Sequence, residues 1–451
     1  MLKKLAVLGL VPVLFAGCGG GADDASVEGM TVFVGARVID GNGGDPIENA
    51  VLVIRDDRIV SVGSAESVAV PDGATVVDLS GKTIMPPLIG VHMHLAMTDG
   101  LVNDASNFNE DNVRFKLNQY ARYGVLHVNS MGTDQILVDE LRIRQAAGEI
   151  PGARLYSAGR GFGVGSGGYP PQQPNATPDA DVYRLTSVDQ VPAAIAELAQ
   201  RNVSFVKLWV DHHFHTRTAF DPVIYQAIVR EALSAGMRPV AHIHTYEDAD
   251  RLIDAGVVGI VHSVRDRPVD AALIQKYVGG NIFSVSTLAR EESMFIYAGR
   301  APYLDDPFFT AHLTPEIIST LESAAFQANH INNPELGEWR PALATAQQNL
   351  VALFNAGVKI GLGSDSGPPA RFEGYFEHRE MELMQEAGLT PAQIIQIATR
   401  NSAEILGIDR DYGTLAAGKS AEFLVLGANP QDNISNTKSL EQVWQNGVQI
   451  F

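Results

Sequence analysis

Residues 84–95 read Ile84-Met85-Pro86-Pro87-Leu88-Ile89-Gly90-Val91-His92-Met93-His94-Leu95. An apolar run of this kind reads as a buried strand, here Thr83–His94, and it ends in two histidines spaced by two. In a strand that spacing puts both imidazoles on one face, here the inner one. Further apolar strand candidates follow at Gly124–Met131, Ala153–Ala158, Val203–Val210, Arg238–His244, Gly259–Val264, Asn281–Ser286 and Val358–Asp365. Amphipathic stretches such as Val191–Gln200, Val223–Ala235, Glu247–Ala255 and Pro391–Leu406 lie between strands or follow the last one. Eight strands with intervening helices is the count of an α/β (β/α)8 barrel, whose active sites lie at the C-terminal ends of the strands.

Those ends carry a consistent chemistry. The fourth strand holds Phe205-Val206-Lys207-Leu208-Trp209, and a lysine inside such a run is costly to bury as a free cation. The fifth ends in His242-Ile243-His244, the sixth in Val261-His262-Ser263 and the eighth in Gly363-Ser364-Asp365-Ser366-Gly367. A lone histidine in an apolar strand is more often a satisfied core residue, and a lone lysine often snorkels at an edge. Their joint appearance at successive strand ends matches a divalent-metal site of imidazole and carboxylate ligands. Around them, His244 and His127 are candidates for substrate contact, against the plainer readings of a solvated loop start and a barrel filler. Tyr169 and Arg371, in loops at the same end, are candidates for a substrate carboxylate, against plain exposure. The run Asp211-His212-His213-Phe214-His215 reads as a polar pocket rim or as a recruiter of extra metal.

The chain ends differ from the middle. Short β-type runs fill Thr31–Ile84 and return at Glu422–Leu426 and Gln442–Ile450, so both ends are expected to form one small β-sandwich. The predicted organisation is a leader at 1–17, a tether at 18–29, a sandwich from 30–83 and 411–451, and a barrel at 84–410. Lys3, Lys4 and the apolar run Leu5–Phe15 form a leader too short to span a bilayer, which predicts export. Ala16-Gly17 then precedes Cys18, the single cysteine of 451 residues. One cysteine excludes an intramolecular disulfide and a cysteine-based zinc cluster. With 33 Lys+Arg against 52 Asp+Glu, the net charge of −19 makes nucleic acid a poor partner.

Residues 84–95 resemble the first metal motif of the amidohydrolase superfamily, in particular its imidazolonepropionase-like group with lysine-containing dipeptidases and carboxypeptidases. Val206-Lys207-Leu208 resembles that group's carbamylated-lysine strand, Val240-Ala241-His242 and Ile260-Val261-His262 its fifth and sixth strands, and Gly361–Gly367 its eighth-strand aspartate motif. Residues 398–403 and 413–419 resemble its closing helix and the return to the sandwich. Four positions depart from the group's pattern: Gly90 for Asp, Pro87 for Gly, Ser263 for Gly and Glu422 for Asp. Residues 16–18 are similar to a bacterial lipobox, apart from Phe15 where Leu is usual, which implies acylation of Cys18 and an envelope protein tethered to a membrane by lipid.

The resemblance implies two divalent ions, with zinc the expected metal. His92, His94, Lys207 and Asp365 would hold one, and Lys207, His242 and His262 the other. A CO2-derived carbamate on Lys207 would bridge them, a bridging hydroxide would attack, and Asp365 would move the proton. The implied reaction is hydrolysis of an amide or peptide bond in a small molecule such as a dipeptide or N-acyl amino acid. Three alternatives stay open: an ordinary lysine beside one metal, a ring-opening cyclic-amide hydrolase, and a surface lipoprotein that only binds ligand. A homo-oligomer is also open.

Overall fold

The computed structural model describes residues 28–451 apart from residues 96, 166, 173, 178, 179 and 215. The leader, Cys18, most of the tether and His215 therefore lie outside the described residues. Eight parallel strands surround the centre: β1 (Leu88–Met93), β2 (Val125–Ser130), β3 (Arg154–Ser157), β4 (Val206–Trp209), β5 (Pro239–His242), β6 (Gly259–Ile260), β7 (Phe283–Val285) and β8 (Ile360–Gly361). β1 pairs with β2 and β2 with β3. Gly161–Phe162 continues β3 onto β4, and β4 to β8 pair in sequence. A bridge between His92 and Gly363, with Val91 N–H donating to Leu362 O at 2.7 Å, returns β8 to β1 and closes the barrel. Ile89, Val91, Phe205, Val240, Val261 and Val285 pack together from around this ring, joined by Ala403 and Ile405.

The segment between β7 and β8 is mostly helical and ends in the long helix Leu336–Asn355. Among the described residues no helix is long and apolar enough to cross a membrane.

Among the described residues, 30–85 and 423–449 meet in one hydrogen-bonded sheet of eight strands. Thr83–Met85 is its seam, parallel to Met30–Val38 on one side and antiparallel to Phe423–Leu426 on the other. Phe33, Phe423 and Trp444 fill its apolar face, with ring centroids 4.9–5.4 Å apart. The sequence reads Thr83–His94 as one strand, but Pro86-Pro87 divides it. Neither proline has an N–H for a ladder, so Thr83–Met85 belongs to the terminal sheet and the barrel strand starts at Leu88.

Glu422, at the start of Phe423–Leu426, ties this sheet to the barrel. Its Oε2 accepts from His127 Nε2 on β2 at 2.9 Å, and its Oε1 accepts from Arg154 Nη2 on β3 at 3.1 Å. Tyr156 Oη lies 3.1 Å from His127 Nδ1, so both ring nitrogens are occupied. His127 pairs in register with Ile89, three residues before His92. The substrate contact that sequence suggests for His127 is thus not what the fold gives it: it is a buried strut at the opposite end of the barrel from His92.

Burial pushes the Glu422 carboxyl up, but His127 and Arg154 outweigh it and hold it below the usual carboxylate range. A depressed folded value means that its stabilisation is complete above the unfolded carboxylate pKa of about 4.3 and is lost as pH falls through the folded value. Glu422→Ala strands a buried imidazole and a half-buried guanidinium. In urea unfolding at pH 7 it should lose on the order of 3 kcal/mol, and the deficit should shrink below pH 4. An unchanged midpoint at pH 7 would remove Glu422 from the fold's essential contacts.

Candidate metal centre

β1 delivers the first two imidazoles through a bulge. Gly90 pairs with Val128 and Met93 with Ser130, three steps on β1 against two on β2. The extra residue shifts the alternation, so Val91 lies in the barrel's apolar filling while His92 and His94 point into the site. A Cβ at Gly90 would collide with the Met93 methyl. The Met93 thioether fills the space that a side chain at position 90 would take, so a larger residue there requires the methionine to move.

Lys207 on β4 is fully buried, and among the described residues no carboxylate pairs with it. Its Nζ lies 3.5 Å from His92 Nε2 and 5.4 Å from the Trp209 ring centroid. Gly132, at φ +103°, lets the lysine stem pass: a Cβ there would come within 2.8 Å of Lys207 Cγ. Burial pulls the amine down to about 7, so near neutral pH a large share is uncharged.

His242 ends β5 and His262 follows β6, with ring centroids 4.2 Å apart; His92 and His262 are 4.8 Å apart. In three of the four imidazoles one nitrogen is taken by a side-chain oxygen outside the cluster. His94 Nδ1 is 3.2 Å from Thr133 Oγ1, His262 Nδ1 is 2.6 Å from Thr287 Oγ1, and His242 Nε2 donates to Asp211 Oδ2 at 2.8 Å. Burial holds His242 down to about 3, and holds His92 and His262 well below the usual histidine range. These rings are neutral at neutral pH, each with one lone pair to give.

Asp365 completes the set from the end of β8. Its Oδ1 is 3.0 Å from His94 Nε2 and 3.6 Å from His92 Nε2, while its Oδ2 pairs with Arg371. Burial pushes its carboxyl up, but Arg371, His94 and His92 outweigh this and keep it ionised, well below the usual range. Its backbone is left-handed at φ 57°, a conformation that needs support in a non-glycine residue. Glu377 supplies it: Oε1 accepts from Ser364 Oγ at 2.5 Å and Ser366 Oγ at 2.6 Å, clamping the residues on either side.

The donor set suits a divalent cation. One ligand atom each from His92, His94 and Asp365 lies within 4.8 Å of the others, and all three residues are buried. His92 Nδ1 has no hydrogen-bond partner. A buried carboxylate and inward imidazoles, one of them with an unpartnered nitrogen, form an ordinary nitrogen–oxygen donor set for such an ion.

A cavity of about 180 Å³ opens above the cluster, lined by Asp365, His242, Tyr169, Trp209, Arg371 and Met97 among others. Tyr169 is tilted over His242, ring centroids 4.8 Å apart. Tyr169 and Arg371 thus stand in the same cavity as the cluster. His244 does not: it lines a separate cavity of about 990 Å³ with Phe214 and Arg265, and its Nδ1 accepts from Arg265 Nε at 3.2 Å. In the 211–215 run, Asp211 is 1% exposed and lies behind His242 rather than on a rim. Thr287, Thr133 and Glu377 escape the sequence reading, and Asp211 enters it only as part of the 211–215 run. Each lies close to a ligand only in space, or is a common polar residue just past a strand; only the position of Asp211, after β4, was a signal.

The comparisons with known proteins agree with this geometry. A model of the amidohydrolase family matches residues 83–450. Ochratoxinase of Aspergillus niger is 24% identical over 469 aligned positions, covering 94% of this chain and 87% of that protein. Imidazolonepropionase of Agrobacterium fabrum is 26% identical over 405, covering 84% of each. The crystal structure of a Xaa-Pro dipeptidase with bound methionine in the active site superposes with a TM-score of 0.71 at 19% identity, covering 93% of this chain and 99% of that one. At that identity the superposition speaks for the fold. The family model takes in all eight barrel strands and every residue of the metal cluster, and on that match the chain belongs to the amidohydrolase family.

Proposed function

We propose that this protein is an exported, metal-dependent hydrolase that cleaves the amide bond of a dipeptide or N-acyl amino acid. As a member of the amidohydrolase family it is a hydrolase of carbon–nitrogen bonds. The observation that carries the finer reading is the convergence of four buried imidazoles, a buried lysine without a salt-bridge partner and an ionised aspartate beneath one small cavity. Ochratoxinase and imidazolonepropionase bear different names, so the family supports the reaction type and leaves the substrate to the pocket.

His92, His94 and Asp365 would hold one divalent ion, and His242 and His262 a second, with Lys207 between them. Two such ions, zinc in this reading, supply a nucleophilic hydroxide near neutral pH and polarise the scissile carbonyl. Lys207 offers a neutral amine; its nitrogen adds to CO2, a proton leaves to solvent, and the product is an anionic carbamate suited to lie between two cations. Asp365 accepts the proton of the attacking water and passes it to the leaving nitrogen. Arg371 and Tyr169 meet the substrate carboxylate, and Trp209 and Met97 give the cavity its apolar wall.

Metal counting tests the binuclear form. Protein purified with bicarbonate should carry close to two divalent ions per chain, and Lys207→Ala should lower that number. One ion in active wild type, unchanged by the substitution, would favour the mononuclear alternative.

Turnover tests the reaction. The Zn2+-loaded protein should hydrolyse members of a dipeptide and N-acyl amino acid library; no turnover on any of them would overturn the substrate class. On the best of them Asp365→Asn should lower kcat by about 10²–10⁴, with KM little changed because the loss falls on the transition state. Metal occupancy is measured alongside. A fully metallated Asp365→Asn enzyme with wild-type kcat would end the proton-shuttle role.

The envelope location rests on Lys3–Cys18 alone. Acylated Cys18 should carry the protein into the membrane fraction, and Cys18→Ser should release it or block processing. Wild type found wholly soluble in the periplasm would refute the lipid anchor.

A further inference from the structure

Asp211 lies two residues past the end of β4, four beyond Lys207, and is 1% exposed. A carboxylate buried that deeply needs a reason and partners. Its Oδ2 accepts the Nε2 proton of His242 at 2.8 Å. Its Oδ1 accepts from the backbone N–H of His213 at 2.6 Å, so the loop that Asp211 begins also stops the carboxylate from rotating. Arg265 Nη2 stands 3.8 Å from Oδ2, and Arg265 is itself held by His244.

This arrangement spends one nitrogen of His242. A carboxylate only accepts, so Nε2 must carry the proton, and Nδ1 is left as the only atom of that ring able to bind a cation. The partners of His94 and His262 are threonine hydroxyls, which are uncharged and can turn to donate or accept. Asp211 therefore differs in kind: it is an anion, fixed in place, outside the ligand set. A carboxylate behind a ligating imidazole fixes its tautomer and raises the basicity of the other nitrogen.

We propose that Asp211 is a positioning residue that locks His242 as the Nε2–H tautomer, presents Nδ1 to the second cation and sets that cation's affinity. The inference rests on the metal-centre reading above and adds a residue that the reading does not contain. The same carboxylate anchors the wall: His213, tied to Oδ1 through its backbone, has its ring stacked 5.8 Å from that of Tyr169, which leans over His242. A shift in the wall and a shift in the ligand would thus pass through one side chain.

The test uses two variants and two readouts on the full chain. Long-range proton–nitrogen correlation spectra of metal-free, histidine-labelled protein report the tautomer, with His242 assigned by its loss in His242→Gln. Wild type should show Nε2–H for His242. Asp211→Asn keeps an acceptor oxygen and should keep that tautomer; Asp211→Ala should give a mixture. Zinc competition against a chromophoric chelator, with bicarbonate present, should show the weaker of the two equivalents bound about 10–100-fold less tightly in Asp211→Ala. The loss in Asp211→Asn should be smaller, and the tighter equivalent should stay near wild type in both. A purely structural role would move neither the tautomer nor one equivalent selectively. His242 found as Nδ1–H in wild type, or Asp211→Ala binding both ions as wild type does, would overturn the proposal. If Asp211→Ala does not fold, the wild-type tautomer and the Asp211→Asn affinity decide alone. Wild type binding only one ion would overturn the binuclear reading, whereas the metal-free tautomer still judges Asp211 by itself.

Discussion

A lysine amine buried at the centre of a barrel, with no carboxylate in salt-bridge contact among the described residues and only Asp365 near enough to favour its charge, is the constraint around which the rest of this site is arranged. Lys207 is fully buried, and its nearest polar neighbour in the cluster is an imidazole nitrogen at 3.5 Å. Burying a cation this way is expensive, and the low-cost outcomes are loss of the proton or conversion to an anion with cations on either side. The neighbours fit those outcomes. His92, His242 and His262 are kept neutral by burial, so none competes as a positive charge. Arg371 pairs with Asp365, and Arg265 stands between Glu291 at 3.2 Å and Asp211 at 3.8 Å.

Local backbone features follow from the same demand. The bulge in β1 turns His92 inward without losing Val91 from the barrel filling. Asp365 and Thr287 both take left-handed backbone, at φ 57° and 52°. For a β-branched threonine this is a real departure from sterically easy conformations. The two residues do related jobs, one offering a carboxylate to the cluster and the other holding His262 from behind. Strain of this sort persists where surrounding contacts over-determine it, and the clamp of Glu377 on Ser364 and Ser366 is such a contact.

The barrel was legible in the sequence because strand period and strand ends speak locally. His92-Met93-His94 fixes one face by its spacing, and apolar runs between amphipathic stretches give the strand count. Lys207 stood out because a charge inside Val206–Trp209 contradicts its surroundings. What escaped depends on contacts made across the fold. His127 looked like a site residue because it lies on a barrel strand; only Glu422, 295 positions away, shows which end of the barrel it serves. The division of Thr83–His94 was written in Pro86-Pro87, yet the hydrophobic run masks it. Asp211 sat in a run that looks solvent-facing, and its burial depends on Arg265 and the loop folding back over it.

The pocket wall explains why the metal motif and the substrate are separable pieces of information. The ligands come from strand ends that the barrel geometry fixes. The wall comes from elsewhere: Tyr169 and its neighbours follow β3, His213 and Phe214 follow β4, and Trp339 comes from the helix Leu336–Asn355 between β7 and β8. Phe214 packs against Trp339 and His244 with centroids at 4.9 and 4.5 Å, and His213 Nε2 pairs with Glu335 at 2.9 Å. Through His213 this aromatic run connects Tyr169, which lines the metal cavity, with Phe214, which lines the larger one. Changes at Phe214 or in Leu336–Asn355 would reshape the wall of the larger cavity without touching the metal cluster. Tyr169, Trp209, Met97 and Arg371 line the metal cavity from outside the ligand set, so the chemistry at the strand ends and the shape of the wall around it can vary independently.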